Sequence, residues 1–261
     1  MAYSDGYEER QAGMSTGAMI AIAVVLLIGL PIIAAMGYGI YSTFMISPEK
    51  RFERAIAGSP EAKGFAKALK ASFHGEYAEM HDAAIREIVQ GGNESDAQRV
   101  VLNNLRWFGG EYRDEVARAS DQHLSAFLAV QVAASKVASR HVEICRAGQL
   151  NRQEQLPKLN ERESQALEVS TARFVEAAAS GRDRPVKRAA YAYADQQALI
   201  AKMKVKGYAL ADLELLGQPS TDQGVMLRKC KVNSAMIEVL ASLPREQGLR
   251  IFAHLIAGPR S

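Results

Sequence analysis

The residues in this chain best suited to chemistry are its two cysteines, Cys145 and Cys230. Each lies on the apolar side of a predicted helix. One interpretation is a disulfide between two helices, which would close a long loop and require an oxidising compartment. The other is a pair of separate buried thiols, because free cysteine packs as a small hydrophobic side chain. The distance between the two residues decides between these interpretations, so the sequence leaves both open.

Histidines raise the question of a metal site. His141 precedes Cys145 by one helical turn, and His74, Glu79 and His81 form a second, looser group. A tetrahedral zinc site takes at least three protein ligands, and the sequence has neither a second His/Cys pair nor an HExxH motif. Surface histidines explain the second group better than a set of metal ligands. We therefore predict no metal site and no cofactor.

Enzyme motifs that depend on a phosphate-binding glycine loop are missing, since the sequence has no Walker loop and no GxGxxG after a strand. Neighbouring carboxylates such as Glu111, Asp114 and Glu115 lie on amphipathic helices, where such groups usually form a solvated surface. A catalytic set whose members meet only in the fold would leave no such motif. An enzyme with a helical active site is therefore kept as an alternative.

Basic residues concentrate between 182 and 206, where they could contact anionic lipid, nucleic acid or an acidic partner. They are Arg182, Arg184, Lys187, Arg188, Lys202, Lys204 and Lys206. The three lysines alternate by two and would spread around a helix, and the acids Asp183 and Asp195 dilute the positive field. A solvated face is the favoured interpretation, and nucleic acid is the least favoured partner.

A charge-free segment separates the N-terminus from the rest of the chain. No Asp, Glu, Lys or Arg occurs between Gln11 and Pro48, and nearly every residue from Gly17 to Met36 is apolar. Twenty helical residues span roughly 30 Å, the thickness of the hydrocarbon core of a bilayer. We predict a polar acidic tail at 1–16, which is unlike the basic start of a signal peptide, and a transmembrane anchor at 17–46.

Small residues recur in and just before this anchor, the first three of them four apart and the last two at steps of eight, which suggests a stripe that favours close helix packing. They are Gly13, Gly17, Ala21, Gly29 and Gly37. The lipid bilayer is thus the first predicted partner, and a homo-oligomer or a partner membrane protein is the second.

The side of the membrane that the remaining chain occupies is ambiguous. Lys50, Arg51, Arg54 and Lys63 follow the anchor, whereas only Arg10 precedes it. The positive-inside rule therefore points the domain towards the cytoplasm. A disulfide would instead place it in an oxidising compartment outside the cytoplasm.

Beyond the anchor, 47–261 reads as a soluble all-α domain that forms a bundle or an irregular helical array, with a sub-boundary near 148–160. Prolines and glycines mark the ends of helices, and no alternating β-branched run is present. We predict helices at 49–57, 60–90, 95–118, 120–147, 160–179, 185–206, 208–216, 221–242 and 245–257.

Three start signals support this division, and one short repeat is also present. Ser47-Pro48-Glu49 and Ser59-Pro60-Glu61 each read as an N-cap, a first-turn proline and an acid at the positive end of the helix dipole. Ser220 and Gln223 have capping-box spacing. The repeat pairs Phe73-His-Gly-Glu-Tyr77 with Phe108-Gly-Gly-Glu-Tyr112, which is too short a match to define a helical repeat family.

Four segments together carry a family resemblance: LKASFHGEY at 69–77, HVEIC at 141–145, LRKC at 227–230 and LPRE at 243–246. They resemble membrane-anchored all-helical proteins of proteobacteria, to which no activity is assigned. The resemblance implies a paired role for Cys145 and Cys230, and hence a periplasmic domain.

These observations favour a single-pass, membrane-anchored helical protein that serves as a non-catalytic interaction or scaffold module of the bacterial cell envelope, anchored in the inner membrane. One alternative is the envelope enzyme with a helical active site. Another is a binder of anionic lipid or nucleic acid through 182–206.

Overall fold

The structure is a computed structural model that describes residues 46–141, 143–145 and 157–258. Over these residues the chain is a helical bundle without strands, so the predicted all-α class is confirmed for this part. The helices are α1 (Pro48–Ala57), α2 (Pro60–Ser72), α3 (His74–Val89), α4 (Glu94–Glu111), α5 (Arg113–Ala117), α6 (Asp121–Arg140), α7 (Glu161–Asp183), α8 (Tyr193–Val205), α9 (Leu210–Leu216), α10 (Gln223–Ser242) and α11 (Arg245–Ala257).

Side-chain caps fix several of these starts. Ser59 accepts a hydrogen bond from the Ala62 N–H at 3.2 Å, ahead of Pro60 in the first turn, as the sequence predicts. The prediction for α10 is wrong in its detail. Asp222, rather than Ser220, is its N-cap and accepts from the Val225 N–H at 2.8 Å. A carboxylate also gains from the positive end of the helix dipole, which a hydroxyl does not.

Two predicted helices are each broken in two. The helix predicted at 60–90 ends before Phe73, whose φ of −137° and ψ of 67° are not helical. The helix predicted at 95–118 is interrupted at Tyr112. The rings of these two residues pack edge to face with centroids 4.9 Å apart. The breaks fall within the two copies of the short repeat because tertiary packing of these rings outweighs local helix propensity.

Two other boundaries also differ from the prediction. Helix α6 ends at Arg140 instead of continuing to 147, although 143–145 again form a helical turn. Residues 185–192 are not helical, and α8 begins only at Tyr193. This segment is held by other contacts, since the Val186 N–H donates to the Arg118 carbonyl at 2.8 Å.

Helix α7 lies at the centre of the bundle and packs along α2, α5 and α6. Two glycines allow the closest approaches. A methyl group on Gly64 of α2 would overlap the backbone of Glu168, and one on Gly181 of α7 would overlap the backbone of Glu115. The absence of a side chain at these positions lets the helix backbones touch directly.

The core is threaded by a connected series of aromatic rings. Phe73 packs on Phe108 at 4.9 Å, and Phe108 lies 6.0 Å from Phe174 of α7. The series continues through Phe127 to Phe252 of α11, whose rings are 5.5 Å apart. Most of these rings are buried, so the α2–α4 half and the α11 end of the bundle share one core.

Residues on both sides of the predicted sub-boundary near 148–160 belong to one compact unit, which extends over Pro48–Ser261. Among the described residues, no helix combines the length and the apolar character needed to cross a membrane. Three predicted features lie outside the described residues. They are the tail at 1–16, all of the anchor at 17–46 except residue 46, and the small-residue stripe of Gly13, Gly17, Ala21, Gly29 and Gly37.

Candidate functional site

Cys145 and Cys230 are joined by a disulfide in the structure, with their Cα atoms 6.1 Å apart. The bond ties the helical turn at 143–145 to the first half of α10. It links positions separated by 85 residues along the chain. Cys145 is buried, whereas Cys230 is partly exposed.

A groove of about 1530 Å³ opens beside this disulfide, and both cysteines line it. Its walls come chiefly from α8, α9, α10 and α11, and most of its lining side chains are apolar. Its aliphatic side chains include Leu199, Leu213, Leu216, Ile237, Leu255 and Ile256. The groove exceeds the roughly 300–1,000 Å³ of pockets for drug-sized ligands, so it has room for a long apolar group.

Much of the polar lining of the groove comes from the connection between α9 and α10, which contributes Gln218, Ser220 and Thr221. Lys229 and Asn233 of α10 and Gln196 of α8 are further polar residues of the lining. The Lys229 side chain is buried, and its ammonium donates to the Gln218 carbonyl. Glu214 of α9 also lines the groove and is exposed to solvent.

A buried ion pair sets the position of α8 against α11. Asp195 is 1% exposed, and Arg250 donates to its two oxygens from Nε at 2.8 Å and from Nη2 at 2.7 Å. The same carboxylate accepts from the Gln247 side chain at 3.2 Å and from the Ala192 N–H at 3.0 Å. Hydrogen bonds from Arg250 hold the pKa of Asp195 well below its ordinary value, despite burial of the carboxylate.

The start of α8 is held on α11 by one more contact. Tyr191, which lines the groove, stacks on His254 with ring centroids 4.2 Å apart. Burial and the nearby Asp195 carboxylate raise the pKa of Tyr191. The α8 wall of the groove therefore has a fixed position relative to α11.

Three members of the predicted basic cluster make contacts with other parts of the domain. Arg188 donates to the carbonyls of Ala117 and Ala119, and Arg182 packs on the Phe73 ring at 4.1 Å. Lys206 pairs with Glu238. The other four are exposed and form no ion pair within the described part of the chain; they are Arg184, Lys187, Lys202 and Lys204.

The histidines considered for metal binding lie apart from the groove. His141 Nε2 is 3.1 Å from Glu163 Oε1, and Cys145, one turn later, is held in the disulfide. The hydrogen bond from His141 contributes most to lowering the pKa of Glu163. His81 packs on Phe52. In the described ranges, no three His, Cys, Asp or Glu side chains gather in a way that could hold a metal ion.

Sequence reasoning missed three features of this region. From the sequence, Asp195 was interpreted only as an acid that dilutes the basic cluster. In the structure it forms a buried ion pair with Arg250, which is 55 positions away. Lys229 is three residues from both Met226 and Val232, which lie on the buried face of α10. This helical spacing was the one sequence signal that the lysine would be buried. The groove itself has no local signature, because its walls come from four helices.

No family model, curated protein or solved structure matches this chain. The resemblance to membrane-anchored proteobacterial proteins therefore stays a proposal.

Proposed function

We propose that this chain is a membrane-anchored, non-catalytic interaction module of the bacterial cell envelope, and that the groove beside the disulfide is its recognition surface. The observation that carries the proposal is the groove, a large concave surface with apolar walls. Apolar surface left open to water is costly, and contiguous apolar concavities usually mark binding sites.

Contacts within the domain indicate that the groove is preformed before a partner binds. Its α8 wall is fixed by Asp195 and Arg250, and its α10 wall by the disulfide to Cys145. A surface held in this way loses little conformational entropy when a partner docks, which favours affinity.

The proposed location combines the apolar segment at 17–46 with the disulfide. We propose that this segment anchors the chain in the inner membrane and that the helical domain lies on the periplasmic side, where disulfides persist. This placement is opposite to the one that the positive-inside rule predicts, because the basic residues after the segment point the domain towards the cytoplasm.

Photocrosslinking in intact cells tests the recognition role of the groove. A photoreactive phenylalanine analogue in place of Leu255, which is 42% exposed and lines the groove, should capture a bound molecule, whether a partner protein, a second copy of the chain or a lipid. The matched control replaces Val89, an exposed apolar residue at the end of α3 that does not line the groove. Identical products from both positions, or none from position 255, would contradict the proposal.

A further inference from the structure

Lys229 is an unusual residue for the wall of an apolar groove. It is only 7% exposed, and its ammonium donates to the Gln218 backbone carbonyl. Within the described ranges, no carboxylate lies at ion-pair distance from it. A buried cation is unfavourable unless its charge is compensated. Because an ammonium carries three N–H donors, the carbonyl leaves donor capacity for an anionic acceptor.

The surroundings of Lys229 restrict the chemistry of such an acceptor. The polar side chains of Gln196 and Asn233 also line the groove. Most of the lining is nevertheless apolar, with aliphatic side chains such as Leu199, Leu216 and Ile237. Such walls satisfy few of the polar groups of a sugar. They suit a ligand with one anionic end and a long apolar body. The exposed Glu214 disfavours a second anionic group in the groove.

We propose that the groove binds a free long-chain fatty acid, with its alkyl chain against the apolar walls and its carboxylate on the ammonium of Lys229. The inference rests on the proposed role of the groove as a recognition surface and names the class of ligand. Its basis is charge complementarity, since a buried cation without a carboxylate partner borders an apolar groove of about 1530 Å³. Such a pair is a charge-assisted hydrogen bond in a water-poor site.

Photoaffinity labelling of the full chain in isolated membranes tests this assignment. The probes are hexadecanoic acid carrying a diazirine in its chain and the corresponding alcohol, which has the same chain without the charge. The acid should label peptides of α8–α11, and unlabelled hexadecanoic acid should compete with it. The alcohol should label the same peptides more weakly, because it lacks the interaction with Lys229.

Substitutions on α10 separate the charge from the apolar surface. Lys229→Met keeps an unbranched apolar chain and should reduce labelling by the acid about tenfold or more, the usual size for loss of a hydrogen bond to a charged group. Labelling by the alcohol should persist, which also shows that the groove remains intact. Lys229→Arg should retain labelling by the acid. Lys231→Met, on the exposed side of the same helix, is the matched control and should change neither probe.

Four results would overturn the assignment. The first is equal labelling by acid and alcohol that is insensitive to Lys229→Met, which would leave an apolar groove without a carboxylate site. The second is more effective competition by an anionic phospholipid than by hexadecanoic acid. The third is the absence of labelling in α8–α11, and crosslinks from position 255 would then still support the recognition role of the groove. If Lys229→Met abolishes labelling by both probes, Lys229→Arg becomes the deciding variant. The fourth result is loss of labelling by the acid in Lys229→Arg.

Discussion

At the scale of single residues, Asp195 joins two helices that are far apart in the chain. Its carboxylate caps the start of α8 through the Ala192 N–H and receives two hydrogen bonds from Arg250 of α11. Removing one partner of a buried pair is more damaging than its net contribution suggests, because the other charge is left without compensation. This carboxylate should therefore have a large effect on stability.

Asp195→Asn should lower the free energy of unfolding at neutral pH by about 2–4 kcal/mol, because it removes the charge that compensates Arg250 and weakens the cap of α8. Chemical denaturation followed by circular dichroism measures this change. The control is Asp183→Asn, which alters an exposed pair with Arg182 and should change stability by less than about 1 kcal/mol.

The same substitution should change the pH dependence of stability. The pKa of Asp195 is lower in the folded state than its ordinary value near 4, so the unfolded state takes up its proton first as the pH falls. The stabilisation is therefore complete above about pH 5 and is lost as the pH falls from about 4 through the folded-state pKa. The difference in stability between the natural chain and Asp195→Asn should narrow over that range. A constant difference would contradict this assignment.

At the scale of elements, the bundle depends on direct contact between helix backbones. Helix α7 meets α5 at Gly181 and α2 at Gly64, where even a methyl group would overlap backbone atoms. Backbone atoms cannot move aside as a flexible side chain can, so a larger residue would push whole helices apart.

Gly181→Ala should destabilise the domain by about 1–3 kcal/mol, although alanine favours helix formation by up to about 1 kcal/mol over glycine. The reason is that the added methyl group would overlap the backbone of Glu115 in α5. Gly75→Ala is the matched control, since no neighbouring atom lies within 4 Å of the added carbon, and it should leave stability unchanged or raise it. Thermal unfolding of both variants measures the two signs, and a stabilised Gly181→Ala would contradict the packing described here.

At the scale of the whole molecule, the disulfide connects the helical turn at 143–145 to α10 and borders the groove. In the chain-entropy model, a bond that closes a loop of this length stabilises a domain by about 2–5 kcal/mol. Such a bond persists only in an oxidising compartment, so its state in the cell bears directly on the proposed periplasmic location.

We predict that the pair is oxidised in growing cells. Cells are quenched in acid, unfolded and treated with N-ethylmaleimide before reduction and labelling with polyethylene-glycol maleimide. The full chain should then shift by two labels, because only thiols released by reduction react. The chain has two cysteines, so the shift reports this pair alone.

Two controls make the redox result decisive. Cys230→Ala should give no shift of the monomeric chain, because Cys145 then has no intramolecular partner. Reductant should lower the free energy of unfolding of the natural chain by about 2–5 kcal/mol and leave Cys145→Ala/Cys230→Ala unaffected. Absence of a shift from the natural chain would place the domain in a reducing compartment and contradict the proposed location.

Features governed by neighbours in the sequence could be predicted from the sequence alone. The all-α class of the described residues, the start of α2 at Ser59 and Pro60, and the approximate extent of α7, α10 and α11 follow from caps, prolines and periodicity. These signals are local because capping groups and helix breakers act within about one turn. The apolar segment at 17–46 is a sequence prediction of the same kind.

The sequence left open, or misplaced, what depends on residues far apart in the chain. The breaks at Phe73 and Tyr112 exist because their rings meet in the core. Three residues of the basic cluster, Arg182, Arg188 and Lys206, have partners that lie far from them in the sequence. The groove beside Lys229 arises only when four helices assemble. Such features depend on distances between side chains, and those distances are determined by packing of the whole domain.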